Sequence, residues 1–350
     1  MRIAFYLSLL LLLAACGGAA TQTATDYRRI NGPTMGTTYN ITYRHPEQAD
    51  YTAEVDSLLA TINDAVSTYI PTSLISRYNT DVALTLDDLD GELEQIFLSN
   101  LNASVLMYRL TDGAFDPQVM PLVNYWGFGY EPKRAVTQVD SLKVAELMSY
   151  RTDDLSVTLQ ELPGTPSGII RKPHPQQQLD FSAIAKGAAV DAIGQLLTAG
   201  GVTDYFVEVG GEVRTLGRNP RGTAWVMAVS TPDPDAAITD AEVLLKVSGK
   251  AVATSGNYRN YYEVEGQKYG HTINPKTGFP ELNNLLGATI IADNCATADA
   301  LATACMVLGH PDAVQLIDGI ESVEGLFIYG AADGSLQIDR TRGMQPYILE

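Results

Sequence analysis

Asp299 and Thr303 stand four residues apart in Ala298-Asp-Ala-Leu-Ala-Thr-Ala304, which makes them neighbours on one face of a helix. A carboxylate and a hydroxyl so placed suit Mg²⁺, a hard cation that takes oxygen ligands and keeps water and substrate phosphate around it. An Asp cap with a surface Thr fits the same spacing. Lys186 lies in Leu179-Asp-Phe-Ser-Ala-Ile-Ala-Lys-Gly-Ala-Ala-Val-Asp191, an otherwise apolar stretch. An unpaired ammonium is costly to bury there, and a phosphate partner removes that cost. Asp180, six residues earlier, reads either as the N-cap of a helix or as a site carboxylate. His271, in the Gly/Pro-shaped turn His271-Thr-Ile-Asn-Pro-Lys-Thr-Gly-Phe-Pro280, is a candidate for moving a proton or a structural ring.

Other segments offer surfaces rather than reactive groups. Thr111-Asp-Gly-Ala-Phe-Asp-Pro117, followed by Pro121-Leu-Val-Asn-Tyr-Trp-Gly-Phe-Gly129, combines turn formers with large aromatics, which serve equally for core packing and for laying a ring against a planar ligand. Gly36, in Thr34-Met-Gly-Thr-Thr-Tyr39, allows close backbone approach. Tyr205-Phe-Val-Glu-Val-Gly-Gly-Glu-Val-Arg214 reads as a hairpin, and Thr254-Ser-Gly-Asn-Tyr-Arg-Asn-Tyr261 supplies hydroxyl, backbone and guanidinium donors.

Several chemistries are missing. The four His are His45, His174, His271 and His310, and none pairs at zinc spacing. The sequence contains no P-loop, no Gly-x-Ser-x-Gly elbow and no Gly-x-Gly-x-x-Gly opening a helix. A net charge of −18 offers no basic stripe for nucleic acid, so an anionic ligand needs a locally positive pocket. Besides Cys16 the chain has Cys295 and Cys305. On one helix ten residues of separation put them ~15 Å apart, too far to bridge, so both are expected as buried small side chains.

The elements that must position these groups follow from periodicity. Apolar residues at helical spacing predict helices over 53–68, 92–110, 141–150, 183–197 and 296–308. Short β-rich runs predict strands at 37–44, 155–159, 168–171, 205–209, 213–217, 224–229, 243–247, 251–254, 287–292 and 325–329. Residues 67–79 read as a polar loop. Strands too close together for helical crossovers favour an α+β fold, largely antiparallel, over a doubly wound parallel sheet. A weak boundary near 150–180 predicts two intimately packed parts of one domain, 30–345.

The start of the chain is a separate matter. Arg2 precedes an apolar run over residues 3–15, too short for a span of ~20 residues and typical of a signal-peptide core. Leu13-Ala-Ala-Cys16 resembles a lipobox, which predicts lipidation at Cys16. The small and polar residues after it predict a flexible tether over 16–29. The expectation is an exported domain, anchored to a bacterial membrane and facing the periplasm.

Taken in order, eight motifs resemble the FAD:protein FMN transferase family, the ApbE-like lipoproteins. They are Met35-Gly-Thr-Thr-Tyr39, Asp112-Gly-Ala-Phe-Asp-Pro117, Trp126-Gly-Phe-Gly129, Asp180-Phe-Ser-Ala-Ile-Ala-Lys-Gly187, Val209-Gly-Gly-Glu212, Thr254-Ser-Gly-Asn-Tyr258, His271-x-Ile-x-Pro-x-Thr-Gly278 and Ala298-Asp-Ala-Leu-Ala-Thr-Ala304. The resemblance covers roughly residues 30–310. It implies an α+β fold with FAD in a cleft between two packed subdomains. It also implies FAD contacts from Met35, Tyr69, Ala114, Phe115, Asp116, Asp180, Lys186 and Ile273, and Mg²⁺ held by the Ala183 carbonyl, Asp299 and Thr303. Catalytic roles fall to His271, Lys186 and Asp180. The family moves FMN from FAD to a Thr or Ser of respiratory flavoproteins, such as subunits of Na⁺-pumping NADH:quinone oxidoreductases and Rnf-type complexes. One position departs: Asn274 stands where many relatives carry Asp, which puts a carboxylate partner for His271 in question. The competing expectations are an FAD pyrophosphatase and a non-catalytic flavin-binding surface lipoprotein.

Overall fold

The computed structural model describes residues 26–131, 139–153, 155, 157–230, 241–256, 261–264 and 267–349. The expected signal segment, Cys16 and Asn257-Tyr258 of the Thr254 motif lie outside the described residues. Among the described residues no helix is long and apolar enough to cross a membrane.

The order begins with β1 (Tyr27–Thr34), β2 (Thr37–Arg44), α1 (Thr52–Val66), α2 (Leu74–Thr80), β3 (Ala83–Leu86) and α3 (Glu92–Leu110). Next come α4 (Met120–Tyr125), α5 (Ser141–Met148), β4 (Thr158–Glu161), β5 (Gly168–Arg171) and α6 (Ala185–Ala199). Then follow β6 (Asp204–Val209), β7 (Glu212–Leu216), β8 (Trp225–Ser230), β9 (Ala241–Val247), β10 (Ala251–Gly256), β11 (Tyr261–Val264), β12 (Gln267–Gly270) and β13 (Leu285–Ala292). The chain ends through α7 (Cys295–Leu308), α8 (Asp312–Asp318), β14 (Glu324–Gly330) and β15 (Leu336–Arg340).

Eight strands form one sheet in the order β1-β2-β6-β7-β10-β13-β14-β15, and every pair in it is antiparallel. The expected α+β class is therefore the observed one. Side chains alternate across a strand, and the central strands use both faces. On β10, Ala251 and Ala253 face the main core while Val252 faces a second one; on β13, Ile290 and Ile291 divide the same way. The main core lies under α1, α3, α6, α7 and α8, and the β8–β9 hairpin with Met344 closes the opposite face. That main core runs from Ile30 to Phe327, so segments on both sides of residues 150–180 share it.

Three readings need correction. β1 begins at Tyr27, inside the stretch expected as tether; it is an edge strand, where Pro33 is tolerated because its missing N–H faces away from the ladder. Residues 74–80 are helical rather than loop, with Ser73 accepting a hydrogen bond from the Ser76 N–H at 3.2 Å as an N-cap. The strand expected at 155–159 begins only at Thr158, because Leu155 turns fully into the core with φ 48°.

α7 is buried on almost every side, between the sheet and α6, which explains its run of Ala. Cys295 and Cys305 lie on it, free and buried as expected. At its start α7 comes so close to α6 that a Cβ on Gly187 would stand 2.4 Å from the Cys295 carbonyl oxygen. Ala at 187 would gain about 1 kcal/mol of helix propensity, but separating two packed helices costs about 1–3 kcal/mol or more. Gly187→Ala is therefore expected to lower the Tm, measured by thermal denaturation; an unchanged or higher Tm would show that the junction yields.

Candidate active site

The helices α6 and α7 cap each other. The first turn of a helix leaves N–H groups without partners and carries a partial positive charge. At the start of α7, the Asp191 carboxylate of α6 accepts from the Cys295 and Ala296 N–H groups at 2.8 and 3.0 Å. At the start of α6, the Asp299 carboxylate of α7 accepts from the Gly187 N–H at 3.1 Å. Asp299 is buried, and its other oxygen lies 3.9 Å from the Lys186 ammonium. The two segments that carry the expected chemistry are thus in direct contact.

Glu212 joins them. Lys186 Nζ donates to Glu212 Oε1 at 2.5 Å, while Glu212 Oε2 is buried with no hydrogen-bond partner. Burial pushes the Glu212 carboxyl up to about 7, assisted by Asp299 and opposed by Lys186. Burial likewise raises Asp299, against the pull of Lys186 and the Gly187 N–H. For Lys186, burial works against the charged form, but the Asp299 and Glu212 carboxylates outweigh it and the net shift is upward. With all three ionised the pocket carries one negative charge in excess.

The rest of this end of the sheet closes around that triad. Gly210, at φ 60° in the β6–β7 turn, has room for no side chain: a Cβ would meet Thr37 at 2.7 Å and the Lys186 stem at 3.3 Å. Beside it, Met35 and Gly36 form the β1–β2 turn with φ 47° and 73°. Positive φ at Met costs about 1 kcal/mol or more, strain of the kind found where a side chain must be presented. Asn63 in the last turn of α1 reaches Thr34 at 3.4 Å; Tyr69, three residues beyond the end of α1, is 71% exposed. Thr303 sits one turn beyond Asp299, partly exposed, and shares a hydrogen bond with Ser255 at the end of β10 at 3.3 Å.

A second group of expected residues lies along the adjoining loops. Ala114 and Phe115 are buried in the main core. Asp180 is not the N-cap of α6: the helix starts at Ala185, and Asp180 accepts from the Ser182 N–H at 2.8 Å in the turn before it. Burial raises its pKa against the Ser182 hydrogen bonds. Ala183 belongs to the same turn, which is tied to the Asp116 loop by the Asp180 N–H donating to Pro117 O at 2.7 Å. Asp116 is buried, with the Gln118 N–H on one oxygen at 2.8 Å and the Arg151 guanidinium on the other. Ile273 packs into a small core with Trp126, Val144 and Leu147. His271 lies next to it, partly buried, with its ring edge-on to Phe128 at 6.4 Å. Asn274 holds its own turn, donating to Glu281 Oε2 at 2.6 Å and accepting from the Lys276 N–H at 2.8 Å.

Sequence reasoning passed over Arg151 and named Glu212 and Ser255 only as members of motifs, with no individual site role. Glu212 reads as one arm of a hairpin, and Arg151 sits in no motif. On β7 Glu212 alternates with Val213 and shares its face with Arg214, so the local pattern does not mark it as buried.

With this geometry in place, the comparisons are specific. The ApbE family model matches residues 35–327. The chain belongs to the ApbE family. It is 36% identical over 332 residues to the FAD:protein FMN transferase of Vibrio cholerae, covering 94% of this chain and 93% of that one. Among solved structures, the flavin transferase ApbE from Vibrio cholerae superposes with a TM-score of 0.78 at 32% identity, covering 92% of this chain and 99% of the other. The apo flavinyl transferase ApbE of Pseudomonas stutzeri gives 0.77 at 28% identity, covering 92% and 96%.

The raised Glu212 pKa has a thermodynamic consequence. Between the ordinary value of 4.5 and about 7, the folded protein binds the proton that the unfolded chain has released, so this group's contribution to stability falls as pH rises through that window. Thermal melts of metal-free protein and of Glu212→Gln should diverge there, the variant gaining relative to the parent from pH 4.5 to 7. Parallel curves would show that Glu212 titrates normally.

Proposed function

We propose that the chain is an FAD:protein FMN transferase that works with Mg²⁺, moving FMN from FAD to a Thr or Ser hydroxyl of a target flavoprotein and releasing AMP. The observation that carries this reading is the contact of Lys186 and Asp299 at the α6–α7 junction, with Thr303 one turn away. Family membership supports the transferase assignment.

The donor set fits the metal. Asp299 and Thr303 offer hard oxygens from a rigid helix, and the Ala183 carbonyl belongs to the turn before α6. Among the described residues no three His, Cys, Asp or Glu side chains gather into a cage, which suits an ion that completes its shell with water and phosphate. Charge argues the same way. With Asp299 and Glu212 both ionised, their charge outweighs that of Lys186 and repels an entering diphosphate, and a divalent cation reverses the sign. When bound, Mg²⁺ would polarise the diphosphate and neutralise the charge that develops on it.

The chain's own groups do the positioning that phosphoryl transfer mainly requires. Lys186, at the positive end of α6, pairs with the diphosphate. Met35 and Tyr69 would contact the flavin, and Asp180 and the Ala114–Asp116 loop would line the cleft. His271 takes the proton from the attacking hydroxyl as oxygen bonds to the FMN-side phosphorus and the bond to the AMP phosphate breaks. The lipobox-like Leu13-Ala-Ala-Cys16 supports an anchored protein whose targets are extracytoplasmic flavin domains of membrane complexes, of the Na⁺-pumping or Rnf type.

Purified protein with FAD, Mg²⁺ and a target domain is expected to add one FMN mass to a single Thr or Ser. Asp299→Ala should slow this by roughly 100-fold or more. Labelling that persists in Asp299→Ala with excess EDTA would reject the metal assignment. Rapid AMP release from FAD without any target would favour a pyrophosphatase instead.

A further inference from the structure

We propose that Arg151 is a positioning residue for the transfer step, holding the His271 turn against the Asp116 loop. The inference rests on His271 acting as the proton acceptor. Residues 272–281 form a closed turn: Glu281 N–H donates to Thr272 O and Asn274 N–H to Phe279 O, both at 2.8 Å, and Ile273 bridges Pro280. His271 leads directly into it, so the turn sets where the His271 backbone stands and hence from where its ring can reach.

Arg151 grips both sides. Its Nε donates to Asp116 Oδ2 at 2.8 Å, and its Nη2 donates to the same oxygen. Its Nη1 donates to the Pro275 carbonyl inside the turn and lies 3.3 Å from the Met148 sulfur. The pair is enclosed, with Arg151 14% and Asp116 0% exposed at the side chain, so solvent does not screen it away. The segment carrying Arg151 is fixed in turn: the Thr152 N–H donates to Gln118 Oε1 and Gln118 Nε2 to Thr152 O, both at 2.9 Å. Trp126 Nε1 holds the far side of the turn, donating to Gly278 O at 2.8 Å. Asp116 thus serves as the base of the guanidinium, and it sits one residue before Pro117, whose carbonyl holds the Asp180 N–H. One planar cation therefore joins the Asp116 loop directly to the His271 turn, and the Asp180 turn is attached to the same loop through Pro117. Lys cannot replace it, because an ammonium lacks the planar fork that serves a carboxylate and a carbonyl in fixed directions.

A double-mutant cycle tests this. Arg151→Lys keeps a cation beside buried Asp116 and is checked for folding by circular dichroism. Single-turnover transfer at saturating FAD is measured for the parent, Arg151→Lys, His271→Ala and the double variant, with FAD affinity read separately from flavin fluorescence. Displacement of a catalytic group by ~1 Å costs on the order of 100-fold; Arg151→Lys is expected to lose at least about tenfold in rate with FAD affinity within about threefold. In the His271→Ala background the same change should have almost no further effect, because the residue it positions is gone. If the two losses multiply independently, or if Arg151→Lys lowers only Tm or FAD affinity, the positioning role is overturned. Should His271→Ala keep the full rate, the proton-acceptor reading itself falls and takes this inference with it.

Discussion

The structure depends on two helices that each satisfy the other's first turn. Asp191 of α6 caps α7, and Asp299 of α7 caps α6. This crossed arrangement requires contact at backbone distance, which Gly187 permits. It also explains how a carboxylate comes to be buried on a helix otherwise lined with Ala. Asp299 gains a helix N-terminus and an ammonium as partners, and these offset the cost of removing its charge from water. The same arrangement leaves Lys186 beside Asp299 and Thr303 one turn further along α7, both only partly buried. A fold device and a candidate anion site are therefore one object.

Around that junction the antiparallel sheet gathers its turns at one end. The β1–β2 turn, the β6–β7 turn and the end of β10 converge there, bringing Met35, Gly210, Glu212 and Ser255 to the mouth of α6. The His271 turn belongs to a different small core, centred on Trp126 and Ile273. It reaches the junction through Arg151, Asp116, Pro117 and Asp180. Binding and proton transfer would then be built on two packing units, joined by a chain of short polar contacts. Such a division lets a rigid helix pair define the diphosphate position, while the turn sets the position of the attacking group.

Much of this was legible in the sequence. The i, i+4 spacing of Asp299 and Thr303 and the lone Lys186 in an apolar run marked both halves of the junction, because buried charge without a visible partner demands one. The antiparallel class followed from short, closely spaced strands. Other features were hidden for identifiable reasons. Asp180 looked like a helix cap, yet the chain makes another turn before α6 begins at Ala185. β1 carries Arg28, Arg29, Asn31 and Pro33 and shows little alternation, since an edge strand needs less of it. Glu212 gave no sign of its orphaned oxygen, because burial depends on α6 lying over the hairpin. Arg151 has its role only through partners at residues 116 and 275, a pairing no local pattern encodes.

The central claim is that the α6–α7 junction receives the diphosphate of FAD together with the proposed metal. Mn²⁺ in place of Mg²⁺ makes this directly observable by electron–nuclear double resonance on the FAD complex. The account predicts ³¹P couplings of a size that only directly bound phosphate oxygens produce, and their disappearance in Thr303→Val together with Asp299→Asn. A Mn²⁺ signal without ³¹P coupling, with FAD demonstrably bound, would contradict it.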